Sequence, residues 1–180
     1  YESKSDKKMK LGRVFKIVLA DLAECGYKVQ HKLFRMKYYD TAQMRERVIM
    51  LGIRNDINKI IEWPKENKTI TKTIRDVIGD LKDNFDEKIQ HTPNNEKVVI
   101  RANYGHQRIL KWSDVCFTIT RTTIIHPDGQ RMMTVREVAR LQGYPDDFKF
   151  SGSNSAAYLQ IGNSVPTQLS VILAGMISKK

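Results

Sequence analysis

Cysteine is nearly absent from this chain: 180 residues carry two, Cys25 and Cys116. They stand far apart, with no Cys-x-x-Cys pair and no histidine at metal-ligand spacing. That excludes a disulfide framework and a structural zinc site, and makes a reducing compartment the expectation. Both cysteines sit in apolar surroundings and read as packed side chains, so neither is a candidate nucleophile. Long hydrophobic runs are missing too. No apolar stretch approaches the roughly 18 residues of a membrane span. The first residues, "YESKSDKKMK", include neither an initiator methionine nor a signal-peptide core, and the expectation is the inside of a longer chain. Acidic residues are outnumbered, 20 against 31 lysines and arginines, for a net charge of +11. A polyanionic partner, nucleic acid first, is favoured. Hydrophobic residues make up 41%, enough for a packed core and too many for disorder throughout.

Periodicity divides the chain in three. Leu11, Val14, Phe15, Val18, Leu19 and Leu22 recur at helical spacing, and Gly26 is placed to end that helix. Residues 27–36 and 47–53 read as strands joined by a loop, a hairpin-like unit at the edge of a larger sheet. Residues 56–96 are polar, with one helical face from Ile70, Ile74, Val77, Ile78 and Leu81. Two β-like runs follow, 97–102 and 115–120. The last third is regular again. Thr134 and Glu137 form a capping-box pattern, with Gly143 and Pro145 as the stop. Ser153 can cap a short helix. Ser164 and Pro166 then open a helix whose buried stripe is Leu169, Ile172, Leu173 and Met176.

Two patterns carry chemistry. In "DTAQMRERVIMLGI", Gln43, Arg45 and Arg47 fall at every second position, so an extended backbone points them the same way. They are either solvated charges or a clamp for phosphate or carbonyl oxygens, to which arginine presents a rigid fork of donors. From Lys97 to Trp112 there is no acid. This stretch and its continuation hold Arg101, Tyr104, His106, Gln107, Arg108, Lys111, Thr118, Thr120, Arg121, Thr122 and Thr123. That mixture combines base-reading with phosphate-binding side chains. The other histidines read as structural or solvated. Gly162-Asn163-Ser164 is either a turn with a cap or a small anion site at a helix N-terminus.

Three stretches together resemble the C5-cytosine DNA methyltransferases. "TAQMRERVIMLGI" is similar to their Gln-x-Arg-x-Arg block. "HPDGQRMMTVREVARLQGYPDDFKF" is similar to their Arg-Glu-x-x-Arg-Leu-Gln-Gly-[Phe/Tyr]-Pro block. "GSNSAAYLQIGNSVP" is similar to the block before their last helix. The family's Phe-x-Gly-x-Gly cofactor loop, Pro-Cys nucleophile and Glu-Asn-Val acid have no counterpart; Glu66-Asn67-Lys68 is the nearest echo of the third, in the wrong region.

The resemblance implies an α/β fold: the C-terminal part of a Rossmann-like, S-adenosylmethionine-dependent methyltransferase domain with an inserted small α+β target-recognition lobe. It implies that residues 1–55 carry the base-contacting loop, 56–125 the DNA-reading lobe, and 126–180 the helices that complete the cofactor site. Arg47 would donate to the flipped cytosine, with Arg45 supporting it and Gln43 bracing the loop. Asn163 and Ser164 would meet the methionine end of S-adenosyl-L-methionine. Gln43, Arg101, Tyr104, His106, Gln107, Arg108, Lys111 and Arg121 would make the DNA contacts. Arg136, Glu137 and Arg140 would be structural. The implied partners are double-stranded DNA and an N-terminal half or subunit of the same enzyme, with no metal and no membrane. The implied setting is the cytoplasm of a prokaryote, at the nucleoid, in restriction-modification. Two other readings stay open: a non-enzymatic DNA-binding specificity subunit, and a fragment of an RNA cytosine methyltransferase.

The acid-free loop generates a prediction. Arginine pairs with guanine O6 and N7, and glutamine with adenine N6 and N7, each discriminating by about 1–3 kcal/mol. Arg108→Ala or Gln107→Ala is expected to relax preference at one base position. Lys111→Ala is expected to weaken all sequences alike and to reduce the salt slope. Profiles over randomised duplex sites separate the two outcomes.

Overall fold

Gly26 takes a backbone conformation that side chains resist, φ +85°, and there the first helix turns into the first strand. A computed structural model describes residues 12–69, 72–81, 84–93, 109–121 and 124–178. The architecture is mixed α/β: five helices and a two-stranded sheet among the described residues. By contacts the chain divides into two units, one of residues 1–34 and 48–62, the other of residues 35–47 and 63–180.

In the first unit, α1 spans Arg13–Glu24 and β1 Tyr27–Arg35; β2 spans Glu46–Arg54. The strands run in opposite directions: Asn55 N–H donates to Gly26 O, and Met36 N–H donates to Arg45 O. Both strands fall where alternation predicts them. No residue of α1 is buried. Cys25, expected to be packed, is exposed at the end of that helix. Apolar spacing specifies which side of a helix is sticky, but not how deeply the neighbouring elements cover it.

The second unit holds the core. Its centre is α3, Val135–Gln142, in which only Arg140 is not fully buried. The predicted capping box is present: Thr134 Oγ1 accepts from Glu137 N–H, and the Glu137 carboxylate accepts from Thr134 N–H. Gly143, at φ +92°, ends the helix. Helix α2, Ile74–Ile78, is a single turn and shorter than its apolar spacing predicts. It has its own capping box, Thr73 with Asp76. Ile74, Ile78 and Leu81 enter the same core as Leu110, Cys116, Ile119, Val138 and Ile161. Ser153 caps α4, Asn154–Asn163, as its position predicts.

Three expectations change. The run 115–120 forms one bridge, Cys116 with Gln43, and not a strand. After that rung the Ile119 carbonyl accepts from the Arg45 guanidinium, so a side chain takes the place of a strand partner. Ser164 closes α4 instead of opening the last helix; α5 spans Thr167–Ser178, beginning after Pro166. Of its stripe, Leu169 and Met176 are buried and Ile172 and Leu173 half-buried. The run 97–102 and residues Leu11, Ile70, Thr122 and Thr123 lie outside the described residues.

Two arginines of α3 bind it to its surroundings. Arg136, with no solvent exposure, donates to the carbonyls of Ile89, Pro145 and Phe148 at 2.6–2.7 Å. Arg140 pairs with both Asp146 and Asp80 at 2.6 Å and reaches Val77 O at 3.3 Å. Its hydrogen bonds hold both carboxyls below the ordinary aspartate range, against the opposing pull of burial.

Depressed native values mean that this stabilisation is complete above the unfolded value, about pH 4. It is lost as the pH falls through the lower native values. Thermal melts from neutral pH down to about 2 should show the midpoint falling across that window. Asp146→Asn is expected to lower the neutral midpoint and flatten the acid limb; an unchanged acid limb would exclude this pair as its source.

Candidate base and cofactor site

The loop between the strands is built from both edges inward. Asp40, at φ +57°, turns the chain, and Lys72 pairs with its carboxylate at 2.7 Å. Thr41 and Ala42 are buried. Burial, helped by the nearby Glu66 charge, pushes the Tyr39 phenol up to about 12, so it is a neutral strut at physiological pH. From Ala42 the backbone pairs with residue 116: Cys116 N–H donates to Ala42 O at 3.0 Å, and Met44 N–H donates to Cys116 O at 2.8 Å. Burial likewise pushes the Cys116 thiol up to about 12, which removes it as a nucleophile.

Period-two alternation then governs the loop. Gln43 and Arg45 are buried, Met44 and Glu46 exposed, and Arg47 half-buried. Of the three side chains at every second position, Gln43 and Arg45 turn into protein, and Arg47 stays half-buried. Gln43 Nε2 donates to Gln142 Oε1 at 2.7 Å and to Leu141 O at 3.3 Å. The Arg45 guanidinium donates to Ile119 O at 2.8 Å and Gly162 O at 3.4 Å. Arg47 bonds only its neighbour's carbonyl, Glu46 O, at 2.7 Å.

Arg45 is the electrostatic oddity. It is 4% exposed, and no carboxylate among the described residues lies within ion-pair distance of it. Burial first, and then the like charge of Arg47, lowers its affinity for the proton. Arginine nevertheless stays charged. Carbonyl dipoles alone compensate it, and its Nε, like Gln43 Oε1, is buried without a hydrogen-bond partner. A buried charge compensated only this far is costly. Two positive groups side by side at the end of a strand create a potential that suits an electron-rich carbonyl or phosphate oxygen.

The turn after α4 lies against the same framework. A Cβ on Gly162 would overlap the Thr120 carbonyl oxygen and lie 2.5 Å from its carbon, so only glycine admits this approach. Asn163 is the exposed last residue of α4. Its amide offers donor and acceptor together, a fit for the ammonium and carboxylate of an amino-acid group. Ser164 has less to offer: its hydroxyl donates to Ile161 O at 2.8 Å and accepts from Gln142 Nε2 at 3.0 Å. The two residues sit at a helix C-terminus, not at the N-terminus on which the anion-site reading relied. The following helix N-terminus begins three residues on, at Thr167.

Of the residues expected to contact DNA, Lys111 and Arg121 are exposed. Arg101, Tyr104, His106, Gln107 and Arg108 lie outside the described residues. Sequence reasoning did not single out Gln142. A glutamine on the apolar side of a short helix is the signal that was available.

The model of the C-5 cytosine-specific DNA methylase family matches residues 4–114 and 87–179. A Type II methyltransferase of Methanothermobacter thermautotrophicus, M.MthTI, is 33% identical over 92% of this chain and 60% of its own length. M.BsuRI of Bacillus subtilis is 33% identical over 93% of this chain and 46% of its own length. The chain thus spans about half the length of the curated relatives it matches. Among solved structures, the S. pombe Dnmt2 methyltransferase superposes with a TM-score of 0.65 at 20% identity, covering 95% of this chain and 62% of that one. Spodoptera frugiperda DNMT2 gives 0.66 at 15% identity, over 96% and 64%. The fold is that of a Rossmann-like methyltransferase fragment.

Gly162→Ala tests the close approach. Overpacking of this kind costs about 1–3 kcal/mol, so the denaturant midpoint should fall accordingly. An unshifted midpoint would mean that the 119–121 segment yields freely.

Proposed function

The chain belongs to the C-5 cytosine-specific DNA methylase family, and from that premise we propose that it is the DNA-recognising, base-clamping part of a DNA (cytosine-5)-methyltransferase acting at a specific duplex site. The observation that carries the reading is the buried Arg45 guanidinium beside the less buried Arg47, with no carboxylate among the described residues at ion-pair distance from either. The structural arginines of α3 do have one, Arg140 at 2.6 Å and Arg136, otherwise bound to carbonyls, at 3.8 Å.

In this reading Arg47 donates to the O2 carbonyl oxygen of a cytosine turned out of the duplex. Negative charge grows on the ring when a nucleophile adds, and a fixed guanidinium stabilises it most at that moment. Arg45 raises the local potential and holds the loop through its bonds to Ile119 and Gly162. Gln43, wholly buried, acts on DNA only through the loop it braces. In this reading the nucleophilic cysteine comes from an N-terminal half or subunit, since Cys116 is an inert core thiol and Cys25 closes α1 in the first unit.

Residues 56–125 are assigned the reading of the DNA sequence, with Arg101, Tyr104, His106, Gln107, Arg108, Lys111 and Arg121 as the contacts. Residues 1–55 and 126–180 are assigned to the catalytic domain. S-adenosyl-L-methionine, when bound, supplies the methyl group. Asn163 would hold its amino-acid end, and Ser164 would keep the turn in place. No group of metal-ligating side chains occurs among the described residues. No helix among them is long and apolar enough to cross a membrane.

The test is reconstitution. The 180-residue chain alone is expected to transfer no methyl label to DNA, and co-expression with an N-terminal half of a family member should restore transfer. Arg47→Ala in that assembly should reduce turnover by about 3 kcal/mol of transition-state stabilisation, with a smaller change in DNA affinity. Normal turnover with weak binding would reduce Arg47 to a phosphate contact.

A further inference from the structure

The base-facing loop and the turn at the end of α4 are separate in sequence, yet a single side chain joins them. Gln142, the last residue of α3, has no solvent exposure. Its carbonyl oxygen accepts from Gln43 Nε2 at 2.7 Å. Its amide nitrogen lies 3.0 Å from Ile161 O, 2.9 Å from Ser164 O and 3.0 Å from Ser164 Oγ. The amide therefore reads the loop with one end and the turn with the other. Two N–H groups serve three oxygens, and Ser164 Oγ in turn donates to Ile161 O. A second connection runs in parallel, from the Arg45 guanidinium to Gly162 O at 3.4 Å.

We propose that Gln142 is a positioning residue that couples the loop 40–47 to the turn 161–164, so that occupancy of either site raises the affinity of the other. The proposal rests on the reading that Arg47 faces the cytosine and Asn163 the cofactor. The physical reason is shared restraint. Ordering the turn fixes Gln142, Gln142 fixes Gln43, and Gln43 lies two and four positions from the arginines. A ligand that orders this chain of bonds leaves less ordering for the second ligand to bear. The network also has room to change. Gln43 Oε1 and Arg45 Nε are buried without hydrogen-bond partners, and a partly satisfied polar network gains by rearranging when a ligand arrives. Glutamine suits the task because one planar group carries an acceptor and two donors. Methionine has similar reach and neither capacity.

The experiment uses the chain assembled with an N-terminal half and active in methyl transfer. The coupling factor is the ratio of the DNA dissociation constants without and with S-adenosylhomocysteine, measured on unmethylated plasmid fragments. Such factors typically lie between about 5 and 150. Gln142→Met should bring the factor close to one, while the assembly still binds DNA alone and S-adenosylhomocysteine alone. Gln43→Met, at the other end of the bond, should do the same, and the double variant should lose no more than either single one. A moderate loss of stability leaves the ratio readable as long as the folded state dominates without ligand, which a denaturant curve of each variant checks. A wild-type factor of one, or variants that stay within about twofold of wild type, would overturn the coupling while leaving the methyltransferase reading intact. Failure of the wild-type assembly to transfer methyl would overturn that reading itself, and the coupling with it.

Discussion

A guanidinium without access to water is the constraint on which the second unit depends. Arg136 has no exposed surface and must spend its donors on protein. It spends them on Ile89, Pro145 and Phe148 carbonyls, with the Asp146 carboxylate no nearer than 3.8 Å. Desolvating such a charge costs several kcal/mol, offset only by well-formed bonds. Each carbonyl therefore has one permitted place. Residues 86–91 and the bend 144–150 are thereby tied to α3, and in that bend the rings of Tyr144, Phe148 and Phe150 meet in tilted and edge-on contacts with centroids 4.8–5.0 Å apart.

Helix α3 then acts as a rod with different duties along its length. Its start is closed by the capping box, with Arg131 forking onto both oxygens of Glu137 at 2.8 Å. Its first and second turns carry Arg136 and Arg140, which take hold of Val77, Asp80 and Ile89 and of residues 145–148. Its end presents Gln142 to the loop and the turn. Gly143 follows in the left-handed region, where the Thr167 hydroxyl bonds its carbonyl. Errors of position at the site are therefore limited by one short rigid element, which is what a constellation of converging donors requires.

The charge of the chain has two uses, and net charge alone does not separate them. Arg45, Arg131, Arg136 and Arg140 are engaged with carbonyls and carboxylates inside the second unit. Lys111 and Arg121 are exposed. A count of +11 therefore overstates the surface available to a polyanion, because several of its cations hold the fold together. Arginine serves both purposes better than lysine would, since its planar fork meets carbonyl and carboxylate oxygens in pairs.

Local chemistry was legible from the letters alone. The Thr134–Glu137 box, the Gly143 stop, the Ser153 cap, both strands and the period-two spacing of Gln43, Arg45 and Arg47 each depend on residues within a few positions of one another. The family blocks were legible for the same reason, as short strings with fixed spacing. What the letters did not decide was depth and partnership. Cys25 and Cys116 sit in similarly apolar strings, yet one is exposed and the other is in the core. The run 115–120 has the composition of a strand and makes a single rung; three residues on, the Ile119 carbonyl is taken by the Arg45 side chain. Ser164 reads as the start of a helix and instead ends the one before it, held by Gln142. The role of Gln142 depends on Gln43, some hundred positions away, and on Ser164, beyond the next turn. Such pairings are chosen by long-range burial, where an unsatisfied amide or guanidinium costs more than any local preference can recover.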